Sequence, residues 1–236
     1  MSSQTEAVDT PADGRLGAPV VGATALALAT SMVLQNAVVI WAGAPEYGDP
    51  IADVFAFHAE HRGAVAIAVG LEALNLPLLL GFLSGLHGLV AQGQSRGAVW
   101  SRLALAAGAT LSAVYALYAV LWIGTVLATT DLTEPTPLFT LTWQLHAAAF
   151  ALAMPALGTT FIGAALSAHA GGLTRSWQRM LGLVGGCLLI VAGGACLAIA
   201  DGSPALFLGM PGYASWLVWL VATGTRLMRA RSTEVS

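Results

Sequence analysis

The chain has 236 residues, of which 57% are hydrophobic and only 9% are charged, and its net charge is −3. Soluble domains carry about 25% charged residues, so this composition excludes an ordinary soluble domain and indicates that lipid surrounds most of the chain. All nine basic residues are arginines, and without lysine the chain can form neither a retinal Schiff base nor a P-loop phosphate site.

The rhythm of apolar segments predicts six membrane spans. They cover residues 18–41, 63–90, 98–128, 139–168, 177–200 and 205–227 and are numbered span one to span six. Each segment is long enough to cross a hydrocarbon core of about 30 Å. The sequence therefore predicts an all-α polytopic integral membrane protein, with a six-helix transmembrane domain over residues 17–228.

Polar segments flank and connect the spans. Residues 1–16 are acidic and rich in Ser, Thr and Pro, which predicts a disordered cytoplasmic tail, and residues 229–236 are predicted to form a second cytoplasmic tail. The acidic loop between spans one and two contains prolines and aromatic residues, which is typical of an interfacial segment.

The arginines predict the orientation of the spans. Eight of the nine fall on one side of a six-span arrangement, and Arg62 alone falls on the other side, beside most of the acidic residues. Positively charged loops stay in the cytoplasm, so both termini are predicted to be cytoplasmic and the acidic loops external. We expect the protein to lie in a bacterial cytoplasmic membrane, with the lipid bilayer as its partner.

Small residues predict where helices approach one another closely. Gly81 and Gly85 lie one turn apart in span two, and glycine pairs occur at 185–186 and 193–194 in span five. Cys187 and Cys196 also lie on span five. Nine residues on one helix place them on opposite faces, so they are not expected to bridge each other.

Span two carries a carboxylate, Glu72, well inside its apolar run. At 100° per residue the strongly polar groups of the surrounding stretch share one face about 120° wide: His58, His61, Glu72, Asn75 and His87. An ionised carboxylate facing lipid costs several kcal/mol, so this face is expected to look into protein or a water-filled cavity. The chain has no lysine, and Arg62, the one outward arginine, lies about 15 Å away along the helix. We therefore expect Glu72 to be largely neutral at pH 7 and hydrogen-bonded to Asn75, or to Gln35 or Asn36 of span one. The alternative is a polar seam that joins helices without a ligand.

Four spans place hydrogen-bonding or aromatic side chains at a similar depth in the outer half of the membrane. We predict that they line a pocket open to the outside or to the outer leaflet: Gln35, Asn36, Glu72, Asn75, Tyr115, Tyr118, Trp122, Trp143, Gln144 and His146. An aromatic belt at the membrane interface would also account for the tryptophans, but it explains Glu72 poorly.

These residues favour a membrane protein that binds a small or lipid-like ligand, or an accessory subunit of a membrane complex or homo-oligomer. The first alternative is an intramembrane enzyme on a lipid or isoprenoid substrate, with Glu72 as acid/base and His61 or His146 as its catalytic partner. The second alternative is a small oligomeric transporter. Glu72→Gln separates them, because it should abolish turnover in an enzyme, uncouple a proton-linked transporter and leave a structural subunit assembled.

Three histidines near the outer ends of spans two and four are candidate metal ligands. His58, His61 and His146 are the candidates, but they follow no diagnostic metal-binding spacing, so no metal is predicted. Histidine pairs on spans two and four would lie at the membrane boundaries rather than around a buried haem, so no cofactor is predicted. The chain has no basic patch, which excludes a nucleic-acid partner.

Three stretches also suggest a family: HAEHRGAVAIAVGLEALNLPLLLGFLSGLHGLV, LHAAAFALAMPALGTTFIGAALSAHAGGLTRSWQRMLGLVGG and PGYASWLVWLVATGTRLMR. In hydropathy rhythm and in some Gly, Trp and Arg positions, over roughly two-thirds of its length, the chain resembles bacterial six-span membrane proteins of the DUF4386 type, a domain of unknown function. The resemblance implies six helices and supplies no catalytic residues.

The predicted orientation is open to a direct test with reporter fusions. Fusions at Gln94, at Thr174 and at the C-terminus should report a cytoplasmic location, because they follow an even number of spans from a cytoplasmic N-terminus. Fusions at Asp49 and Thr133 should report an external location. An external C-terminus would contradict the six-span topology.

Overall fold

A computed structural model describes residues 17–92, 97–130 and 132–229. The predicted tail at 1–16 and all of the predicted tail at 229–236 except Arg229, which ends the last helix, lie outside the described residues. Helices are the only regular elements in these ranges. They are α1 (Ala18–Trp41), α2 (Ile51–Glu60), α3 (Arg62–Gln92), α4 (Ala98–Ala128), α5 (Pro137–Ala170), α6 (Ser176–Gly193), α7 (Cys196–Ala200) and α8 (Met210–Arg229), with a 3-10 turn at Pro204–Leu208.

Six of these segments are long and apolar enough to cross a membrane: α1, α3, α4, α5, α6 and the 3-10 turn together with α8. The fold is therefore that of an all-α, multi-pass membrane protein with six spans, which confirms the predicted fold class. The end of the bundle at which α1 finishes is called the outer end below, after the predicted orientation.

The six spans form a closed ring. Each packs against the next in the order α1, α3, α4, α5, α6 and α8, and α8 returns to pack against α1. Large side chains fill the ring, and among the largest fully buried ones are Phe82, Phe161, Trp216 and Trp219. Trp216 and Trp219 stack with ring centroids 5.6 Å apart, and Phe161 packs edge-on against both.

Glycine backbones make the closest helix contacts. A Cβ on Gly186 of α6 would lie 2.7 Å from the Gly158 carbonyl oxygen of α5, so any side chain would push these helices apart. Gly22 of α1 and Gly224 of α8 make the same kind of mutual approach. The predicted close-packing surface at residues 185–186 is confirmed, and Gly85 likewise packs against α1.

The prediction of one continuous helix over residues 177–200 is wrong. The helix α6 ends at Gly193, and α7 begins only at Cys196, so the two cysteines lie on separate helices. Gly193 lies against Pro155 of α5: a Cβ there would be 2.2 Å from the proline Cδ. Two consecutive glycines favour a break because glycine is a poor helix former, and packing against Pro155 fixes where it occurs.

A second break falls between α2 and α3. The residue between them, His61, has φ −110° and ψ 30°, outside helical geometry. The predicted single face from His58 to His87 is therefore wrong for His58, which lies on α2. This short helix buries Val54, Phe55, Phe57 and His58 and packs them against aromatic residues of α4 and α5.

Candidate ligand-binding cavity

A cavity of about 560 Å³ opens in the outer half of the ring, a volume within the range of small-molecule sites. Its walls come from α1, α3, α4, α5, α6 and α8, and loops between the helices line its outer part. The lining reaches Leu28 on α1 and Leu79 on α3, just past the midpoints of these helices and about 20–25 Å from their outer ends.

The break after α6 helps to form this space. Gly193 and Gly209, which bracket the broken segment, pack against Pro155 and Met154, near the middle of α5. The chain between them is interrupted by turns, and Gly202, Ser203 and Pro204 line the cavity. Non-helical backbone at membrane depth is tolerated where it is enclosed by protein or lines a cavity, so the break and the cavity are physically linked.

Most of the predicted ligand-binding residues meet at this cavity. Seven of the ten line it: Gln35, Asn36, Glu72, Asn75, Tyr115, Tyr118 and Trp122. The other three, Trp143, Gln144 and His146, are not part of its wall. Gln144 is exposed on the outside of the bundle, whereas Trp143 and His146 are buried in a neighbouring aromatic cluster.

A directional hydrogen-bond chain joins α1 to α3 at the cavity wall. Gln35 donates through Nε2 to Oε2 of Glu72, so one of the predicted partners is confirmed. The Gln35 Oε1 then accepts a hydrogen bond of 2.8 Å from Asn75 Nδ2. Gln35 therefore directs its amide nitrogen at Glu72 and its amide oxygen at the Asn75 nitrogen, and the chain ends in the Asn75 Oδ1 acceptor. This oxygen is buried and has no hydrogen-bond partner among the described residues.

A second polar pair, Asn36 and Tyr213, also lines the cavity. Asn36 Nδ2 donates to the Tyr213 hydroxyl at 2.8 Å and also to the Met32 carbonyl at 2.8 Å. This pair ties α1 to α8, and both Asn36 and Tyr213 line the cavity.

The remaining wall is mostly apolar, with Leu28, Met32, Leu79, Leu111, Met154, Leu157, Leu189, Ile199 and Trp216 among its residues. Glu72 is its one deeply buried carboxyl group, only 4% exposed, and Glu46 lies exposed in the outer loop. Within residues 17–92, 97–130 and 132–229, no arginine or histidine lines the cavity.

His146 is held by stacking and by a backbone hydrogen bond. Its ring lies between those of Tyr118 and Trp143, with centroids 4.0 and 5.1 Å away. Its Nδ1 lies 3.1 Å from the Tyr118 carbonyl oxygen, to which it donates. His146 and Trp143 therefore pack beside the cavity as structural residues and do not line it.

Both ring nitrogens of His58 are also engaged. Nδ1 donates to the Val54 carbonyl at 2.7 Å, and Nε2 accepts from Trp122 Nε1 at 3.1 Å. This pair of bonds requires the neutral tautomer with its proton on Nδ1. Burial lowers the pKa of His58, and the backbone hydrogen bond to Val54 acts in the opposite direction. No cluster of three candidate metal ligands occurs in the part of the chain that the structure describes.

Sequence reasoning missed two tyrosines of the cavity wall, Tyr47 and Tyr213. Tyr213 lies one turn into α8, and the depth criterion applied to the first four spans would have found it in the sixth. Tyr47 comes from the loop after α1, and its ring packs 5.3 Å from Trp143 and 5.8 Å from Phe150. The only sequence signal for it is an aromatic residue inside the acidic loop.

Two loops meet at the outer side of the cavity. Gly48, from the loop after α1, touches Gly202, from the loop after α7, so closely that a Cβ on Gly202 would lie 2.2 Å from the Gly48 Cα. Gly202 also has φ +85°, in the region that disfavours side chains. The contact holds the two cavity-lining loops together.

No known protein family, curated protein or solved structure matches the chain. The resemblance to DUF4386-type proteins therefore stays a prediction.

Gly202→Ala should destabilise the protein more than Gly43→Ala. Both glycines have positive φ, which costs alanine about 1–2 kcal/mol, but nothing lies within 4 Å of a Cβ on Gly43. The clash with Gly48 should add about 1–3 kcal/mol at Gly202. Unfolding of the purified variants in detergent measures the difference, and equal losses would mean that the loop contact contributes nothing.

The pKa of His58 predicts a pH dependence of stability. Because the pKa of His58 is lower in the folded state than its unfolded value of about 6.5, protonation favours the unfolded state. The stability that the neutral ring contributes is fully present above about pH 6.5 and is lost as the pH falls toward the folded-state pKa. The free energy of unfolding should therefore fall more between pH 7.5 and 5.5 in the wild type than in His58→Gln. The same pH dependence in both proteins would show that His58 does not titrate in this way.

Proposed function

We propose that this membrane protein binds a small or lipid-like ligand in its outer-half cavity. The observation that carries the proposal is the cavity itself, with its largely apolar wall and its small group of converging polar side chains around Glu72. Ligand sites typically combine an apolar lining with a few placed polar groups.

The mouth of the cavity supports access from the membrane. Large apolar side chains that line it are also exposed on the outside of the bundle: Ile40 at the end of α1, Phe207 in the 3-10 turn and Met210 at the start of α8. Such a rim suits a ligand that reaches the cavity from the outer leaflet rather than from water.

The enzyme alternative has less support. An acid/base pair needs a second group within hydrogen-bond reach of the substrate, and neither His61 nor His146 lines the cavity. His146 already donates to the Tyr118 backbone, and the His61 ring stacks on Phe57 at 4.8 Å. Glu72 would have to act without either predicted partner.

The transporter alternative also has less support. Among the described residues, Phe82 and Phe161 pack against Trp219 on the inner side of the cavity, and none of the three lines it. A transporter would need a second arrangement of these rings.

We further propose, from the arginine distribution, that the membrane is the bacterial cytoplasmic membrane. A homo-oligomer or a larger membrane complex remains a proposal for its partners.

Binding can be measured with a neutral probe, tritiated decanol, on protein reconstituted into phosphatidylcholine nanodiscs. After the partition into empty nanodiscs is subtracted, the wild type should show one saturable site. Leu111→Trp and Met154→Trp place large rings at the buried cavity wall and should each remove most of this component. The matched control is Leu117→Trp, on the exposed side of α4, which should bind like the wild type.

The proposal would be contradicted if the wild type bound neither decanol nor the decylamine probe described below beyond the empty-nanodisc level. It would also be contradicted if the two cavity variants and Leu117→Trp behaved alike.

A further inference from the structure

The cavity wall offers hydrogen-bond acceptors without a matching positive charge. The hydrogen-bond chain from Glu72 through Gln35 to Asn75 starts at a carboxyl group and ends at an amide oxygen with no partner among the described residues. Both end residues are more than nine-tenths buried, Glu72 at 4% and Asn75 at 7% exposure.

Gln35 donates a hydrogen bond to Oε2 of Glu72. The described residues direct no hydrogen bond to the other carboxyl oxygen, Oε1, although Glu72 lines the cavity. An amide donor does not neutralise a carboxylate, so a carboxyl group enclosed in a membrane domain either holds a proton or pairs with a cation. In the described part of the chain, the wall holds no arginine or histidine for this purpose.

We propose that the cavity recognises an amphiphilic primary amine, whose ammonium group is held by Glu72 and whose hydrocarbon chain lies against the leucines and methionines of the wall. The proposal rests on the proposed binding function and names the chemistry of its ligand. An ammonium supplies both the positive charge and the N–H donors that the wall lacks.

The same wall disfavours anionic amphiphiles. A fatty acid or a phosphate headgroup would bring a second negative charge beside Glu72, with no cation in the described wall to compensate it. A quaternary ammonium would match the charge but not the acceptors, because it has no N–H to donate.

The test uses the nanodisc assay with four probes of equal chain length: decylamine, decanol, decanoate and decyltrimethylammonium. Affinities are expressed relative to the partition of each probe into empty phosphatidylcholine nanodiscs. Decylamine should bind about tenfold or more tightly than decanol, since charge-assisted hydrogen bonds are worth that much. Decyltrimethylammonium should bind more weakly than decylamine, and decanoate most weakly.

Variants assign the preference to the polar chain. Glu72→Gln keeps the size of the side chain and should weaken decylamine binding about tenfold, with a much smaller effect on decanol. Asn75→Leu should reduce the same preference, and its matched control is Gln144→Leu, which makes a similar change on the exposed surface of α5.

The outcomes separate the two proposals. Equal affinity for decylamine and decanol, or a preference that survives Glu72→Gln, overturns the amine assignment and leaves the binding function intact. If Glu72→Gln removes all binding, the affinities of the wild type for the four probes decide the amine assignment. The predicted order of affinities supports it, and any other order overturns it. Binding of no probe by the wild type overturns both proposals.

The amine could come from a free molecule or from a lipid headgroup. Because a headgroup also carries a phosphate, we expect phosphatidylethanolamine in the nanodiscs to leave decylamine binding unchanged. Competition by this lipid would support amine recognition and identify the lipid as its source.

Discussion

The hydrogen bond from Gln35 to Glu72 is the interaction on which the outer half of the bundle depends. A carboxyl group in a membrane domain needs protein partners, because lipid offers none. Gln35 on α1 donates a hydrogen bond to Glu72 and accepts one from Asn75, both on α3, so one amide group joins the two helices. The neighbouring residue Asn36 binds Tyr213 and extends the connection to α8.

The cavity follows from the way the chain leaves α6. A single helix to residue 200 would have no break at Gly193, which lies against Pro155 near the middle of α5. The break at Gly193 instead sends the chain through α7 and the 3-10 turn, which lie around the cavity and contribute Ile199, Leu206 and Phe207 to its wall. Irregular backbone at this depth can satisfy its polar groups only within protein or beside an enclosed space.

The six spans could be predicted from the sequence because hydropathy depends on local composition. Spans one and three match α1 and α4 to the residue, while spans two and four end within a few residues of α3 and α5. The breaks at His61 and Gly193 were not predictable in the same way. A glycine pair is common inside membrane helices, and only contact with Pro155 on another helix decides that this pair ends one.

The candidate site was predicted in part for a similar reason. Depth along a helix follows from residue number, and it brought Gln35, Asn75 and Tyr115 to the same level. The direction in which each helix faces depends on packing, and this is why Gln144 lies outside while its neighbour Trp143 packs in the aromatic cluster. Tyr47 could not have been placed, because a loop has no periodicity from which to read its position.

The most direct test of this account is a high-resolution density map of the purified protein in nanodiscs. The account predicts an open cavity lined by α1, α3, α4, α5, α6 and α8, with Gln35 between Glu72 and Asn75 and elongated non-protein density against this group. A map in which protein side chains fill the space, or in which Gln35 and Glu72 lie apart, would contradict it.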